Sequence, residues 1–139
     1  MRFDTGNGFY RPDVDQLPGA NHNVFTAQRW ADVSNTSLGV TIATVDAPLM
    51  EIGGMSAEDW HRSDGRETWQ QQTPRSSWLY SYVMNNYWHT NYRADQSGRV
   101  AFRYTILPHQ AFDAAESHRL GVDVAQPLLV VRGITVLPR

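Results

Sequence analysis

Residues 78–84 alternate Trp78, Tyr80, Tyr82 and Met84 with Leu79, Ser81 and Val83, and a period of two is the pitch of a pleated strand rather than a helix. The same period returns at 40–45, where Val40, Ile42 and Thr44 alternate with Thr41, Ala43 and Val45, and again at 100–107. Each run is short and rich in β-branched or aromatic residues, and turn formers stand between them: Asn35 to Gly39, Asp46-Ala47-Pro48, Gly53-Gly54 and Pro108. A further strand is expected over 25–33, with a bulge near Arg29 where the alternation slips, another at 49–52, and one interrupted strand or two at 128–131 and 133–137. A helix is predicted only over 113–120, with Asp113 as N-cap, Glu116 three residues on and Gly121 just past its end. The pattern predicts an all-β fold, an antiparallel β-sandwich with one short helix, in which Trp78, Tyr80 and Tyr82 fill the space between the sheets.

A chain of 139 residues is the size of a single domain, so 1–139 reads as one sandwich. Residues 1–24 read as an irregular N-terminal arm packed on it, because Gly6, Gly8, Pro12, Pro18 and Gly19 interrupt any periodicity while Phe3, Phe9 and Tyr10 supply apolar surface. The chain contains no cysteine and no lysine; all 12 basic residues are arginine. That excludes disulfides, thiolate metal sites, a cysteine nucleophile, a Schiff-base lysine and a phosphate-loop lysine. A net charge of −2 offers no general attraction for nucleic acid or an anionic membrane. No apolar run is long enough to span a bilayer and residues 1–10 lack a signal-peptide core, so a soluble chain is expected, cytoplasmic by default.

The candidate chemistry concentrates between Ser76 and Tyr92, where no Asp, Glu, Lys or Arg occurs yet six of the 16 aromatic residues fall. The first half suits a sandwich core. The second half, where Asn85, Asn86, His89, Thr90 and Asn91 interleave with Tyr87, Trp88 and Tyr92, is poor core material. Amides and hydroxyls match sugar hydroxyls, and flat rings match the C–H faces of a pyranose; a loop whose amides satisfy its own backbone is the plainer alternative. Metal sites are not indicated: His61, His89 and His118 lack ligand spacing, and Asp13 and Asp15 read as turn caps rather than calcium ligands. A retaining glycosidase needs two carboxylates about 5 Å apart, and only Asp46 and Glu51 border the central strands. No catalytic residue is assigned.

Several segments carry a family resemblance: RPDVDQLPGA at 11–20, QRWADVSN at 28–35, GVTIATVDAPLMEIGG at 39–54, YVMNNYWHTNYRADQSG at 82–98, FRYTILPH at 102–109 and QPLLV at 126–130. Together they resemble the C-terminal β-sandwich part of glycoside hydrolase family 38, the α-mannosidase-like enzymes. The likeness spans most of the chain in the family's order and leaves 56–77 unplaced. Those enzymes are zinc-dependent retaining glycosidases whose metal ligands and aspartate nucleophile lie in a separate N-terminal domain. The resemblance therefore implies an accessory β-domain, without catalysis or cofactor of its own, whose partners are a carbohydrate and the zinc-bearing catalytic domain of a parent enzyme. By position, the segment 85–98 is implied to reach the sugar cleft, with Asn86, Trp88, His89, Asn91, Tyr92 and Arg93 as substrate-binding candidates. An autonomous lectin-like module and a self-associating structural domain, a homodimer, are the alternatives.

Overall fold

The computed structural model describes residues 1–54, 70–84, 91, 93 and 95–131. Among these the chain forms eight strands, β1 (Arg2–Asp4), β2 (Phe9–Tyr10), β3 (Phe25–Thr26), β4 (Trp30–Ser34), β5 (Gly39–Thr44), β6 (Leu49–Ile52), β7 (Leu79–Ser81) and β8 (Tyr104–His109), followed by one helix, α1 (Ala114–Ala125). A five-stranded sheet of order β2-β1-β4-β5-β8 faces a three-stranded sheet of order β3-β6-β7, and every pairing is antiparallel. The expected antiparallel all-β architecture is therefore present. No helix among the described residues is long and apolar enough to cross a membrane.

Register decides which residues meet. Tyr10, Phe3, Ala31, Ile42 and Ile106 are successive cross-strand partners on the inner face of the large sheet. Phe3 stacks on Phe25 of the small sheet with ring centroids 5.2 Å apart, and Ala27, Ala31, Met50 and Ile52 complete the buried core. The small sheet covers only one end of that inner row: Phe3 and Ala31 are fully buried, whereas Ile106 at the far strand is 62% exposed.

Several sequence expectations are corrected. The N-terminal arm is less irregular than its glycines suggest, because β1 is an interior strand of the large sheet. What reads as one bulged strand from Phe25 is two strands in different sheets. The chain crosses between them at Ala27 and Gln28, whose amides donate to Pro48 and Asp4 carbonyls at 2.8 and 3.0 Å. Strand β8 runs through Pro108 rather than ending there, since an edge strand can accommodate a residue with no amide to donate. Residues 127–131 form no strand, and 133–137 lie outside the described residues.

The aromatic strand is reversed relative to expectation. Leu79 pairs with Ile52 and Ser81 with Met50, so it is Leu79 that packs on the core, while Tyr80 pairs with Glu51 on the outer face. Trp78, Tyr80 and Tyr82 therefore do not fill the space between the sheets; a register slip of one residue exchanges every side chain's face. The helix is also longer than predicted. Asp113 caps it as expected, accepting from the amides of Ala115 and Glu116, but Gly121 lies inside it and is buried. A Cβ there would stand 2.8 Å from Trp30 Cδ1, so glycine lets the helix close on β4.

Candidate functional site

The helix-covered face of the large sheet holds a buried polar cluster. Asp32, fully buried on β4, accepts from Arg2 Nη1 at 2.8 Å and from the Ser34 hydroxyl at 2.5 Å, and its other oxygen lies 2.8 Å from His109 Nε2. Thr41, its cross-strand neighbour, joins it at 3.4 Å and shares a 2.9 Å hydrogen bond with Ser117 of α1. Beside it Asp4 accepts from Arg29 Nε at 2.9 Å. Arg2 is held from both sides, because its guanidinium carbon also sits 4.0 Å from the Phe112 ring centroid. An Asp–His pair with hydroxyls nearby suggests nucleophilic catalysis, but Ser34 and Thr41 bond the carboxylate, Ser117 bonds Thr41, and the other ring nitrogen, Nδ1 of His109, is buried with no partner. The ring lies against Gly39, where a Cβ would meet His109 Cε1 at 2.3 Å. This geometry locks helix, edge strand and N-terminus together, and among the described residues no hydroxyl is hydrogen-bonded to the imidazole to be activated.

Of the residues expected to bind substrate, Asn86, Trp88, His89 and Tyr92 lie outside the described residues. Asn91 is exposed, and Arg93 is exposed beside Asp95, with 3.8 Å between their charged atoms. The segment that carries them leaves from β7 and rejoins at β8. At that junction a 2.7 Å hydrogen bond joins Ser81 to the Tyr104 hydroxyl, and Arg103 grips Asp46 through its backbone amide and both sides of its guanidinium. The Arg103 side chain holds the Asp46 carboxyl below its ordinary range, so this acid is committed to a turn.

Around the same junction the protein leaves large apolar side chains in solvent. Val83, Met84, Val100 and Ile106 are exposed. Beyond α1 in the sequence, Leu128 to Val131 are exposed as well, with Leu128 at 98%. The outer face of the small sheet adds exposed Trp78 and half-buried Tyr80 and Tyr82 beside buried Glu51. Burial, reinforced by the Glu51 carboxylate, pushes the Tyr82 phenol up. The alternation at 78–84 identified these rings correctly but not their face; Glu51, two residues before a Gly-Gly turn, carries no sequence signal of burial.

Two hollows flank the N-terminal strands. One of about 500 Å³ is lined by Tyr10, Gln16, Asn21, Thr26 and Gln28 among others, a set of amides and hydroxyls around a ring. The other, of about 300 Å³, lies between β1, the turn at 11–14 and residues 73–76. Among the described residues no group of three or more His, Asp or Glu is placed to hold a metal ion. Comparison with family models, curated proteins and solved structures finds no match.

Proposed function

We propose that this chain is a non-catalytic accessory β-domain of an α-mannosidase-like glycoside hydrolase, which covers its open flank with the catalytic domain and offers the segment 85–98 to the carbohydrate. The observation that carries the reading is the coincidence of two features at the β7–β8 junction. Large apolar side chains stay exposed there, and the amide- and aromatic-rich segment begins and ends there. An exposed apolar surface of this kind marks an interaction site, and the family resemblance names the partner. Zinc belongs to that partner domain.

In the parent enzyme, His89→Ala or Arg93→Ala lowers kcat/KM on a mannoside by roughly ten- to a hundredfold, about 1.4–2.7 kcal/mol of transition-state binding, without unfolding the domain. Unchanged kinetics in both variants would remove the segment from the sugar site. The 139 residues alone release no mannose from an aryl mannoside.

A lectin-like module is the second reading, favoured by the hollow that Tyr10, Gln16, Asn21, Thr26 and Gln28 line. Its volume falls in the range of small-ligand pockets. Calorimetric titration of the isolated chain with mannose oligosaccharides separates the two, since an accessory domain alone gives no heat.

A further inference from the structure

The smaller hollow has a different chemistry from everything assigned so far. Three arginines, Arg2, Arg11 and Arg75, line its roughly 300 Å³ together with the hydroxyl residues Ser34, Thr73 and Ser76. Their charges are not equally compensated. Arg11 is engaged by Asp15 through Nε at 2.9 Å and Nη2 at 2.8 Å. Arg2 reaches Asp32 and Ser34 through Nη1 alone, and Arg75 has no carboxylate partner among the described residues. The one acid in the lining, Asp13, is occupied: His22 Nδ1 lies 2.7 Å from it and the Thr73 amide donates to both its oxygens at 3.0 and 3.1 Å.

Those bonds also preform the hollow. The Thr73–Asp13 contact ties the segment 73–76 to the turn at 11–14 across 60 residues of sequence, and the Phe112 ring and Asp32 fix the plane of Arg2. Ser76 accepts the Trp78 amide at 3.0 Å and so keeps its own proton to donate. Pro12, Val14, Ile52 and Pro74 add apolar wall beside Met1, which strengthens a charge-assisted hydrogen bond formed inside it.

We propose that this hollow is a binding site for a small organic oxyanion, a carboxylate or phosphate group carried on a compact body such as a sugar acid or sugar phosphate. Arg75 supplies the uncompensated charge, the free nitrogens of Arg2 and the Ser76 hydroxyl supply directed donors, and the apolar wall receives the body of the ligand. The proposal does not depend on the accessory-domain reading.

The test is calorimetric titration of the 139-residue chain at low ionic strength with inorganic phosphate, with glucuronate and with neutral mannose, repeated on Arg75→Gln and Arg75→Lys. Arg75 is exposed and has no carboxylate partner among the described residues, so both variants keep the fold. Saturable 1:1 binding of phosphate, glucuronate or both is expected, weakened about tenfold or more in Arg75→Gln and partly restored in Arg75→Lys, with no response to mannose at this site. The stronger of the two anions identifies the ligand's acid group. Absence of saturable binding of either anion up to about 10 mM, or binding unchanged in Arg75→Gln, would overturn the proposal.

Discussion

The two ends of the large sheet are finished to different degrees. At β1 and β4 both faces are closed: Phe3 and Ala31 are sealed by the small sheet, while Asp32 and Trp30 are sealed beneath α1 and Phe112. At β8 the inner face lies open, and Ile106, the cross-strand partner of Ile42, stands in water. The same alternation governs both ends, so the difference lies in the cover rather than in the strands. The helix sits on β4 and β5 on one face and the small sheet on the strands around β1 on the other, so neither covers the inner face at β8, and the accessory-domain proposal assigns that face to a partner.

The closed end is therefore where substitution should cost most. Asp32→Ala strands His109 and Arg2 without their acceptor in a buried site, and a loss of about 3–5 kcal/mol in urea unfolding is expected, the scale for breaking a buried ion pair from one side. A loss under about 1 kcal/mol would mean that the cluster does not bind helix, edge strand and N-terminus together. Gly121→Leu tests the helix seat by driving a side chain into Trp30, with a cost of about 1–3 kcal/mol expected in the same assay. No loss there would mean that α1 is free to move off the sheet.

How much of this was legible in the sequence depends on whether a feature is local. The hairpin from Trp30 to Thr44 announced itself through alternation and the turn at Asn35, whose side chain accepts from Ser37 and Leu38. The cap at Asp113 was equally plain. What alternation cannot supply is the partner strand: Trp78, Tyr80 and Tyr82 share a face, but only pairing to β6 decides that Leu79 and not Tyr80 meets the core. The end of α1 was misplaced because Gly121 has two meanings, a stop signal in isolation and a close approach once Trp30 lies beneath it. Arg2, Asp32 and His109 are dispersed over the whole chain and become neighbours only through the order of the large sheet. The same dispersal hid the cavity of Arg2, Arg11 and Arg75.

At the open end the isolated chain should be indifferent. Ile106→Thr keeps a β-branched residue on the edge strand and removes only exposed surface, so its stability is expected to stay within about 0.5 kcal/mol of the parent sequence. A larger loss would show that Ile106 is covered in solution. The smallest effect belongs to the exposed pair Arg11–Asp15. Hydrogen bonds from Arg11 lower the Asp15 carboxyl from 3.8 to about 2. A carboxyl depressed on folding contributes stability above its unfolded value and loses it as pH falls toward the folded one. Asp15→Asn should therefore flatten the stability profile slightly between those two values, leaving the variant marginally less stable near neutrality and equal to the parent sequence at the acid end.

Amide hydrogen exchange along β8, measured in the isolated chain and in the parent enzyme, addresses the open end most directly. If the proposed catalytic domain covers β8, Ile106 and its neighbours on Tyr104–His109 should exchange markedly more slowly in the parent, while β1 and β4 keep the same protection in both. Equal exchange along β8 in the two forms would contradict the account, because the open end would then be a surface that no partner covers.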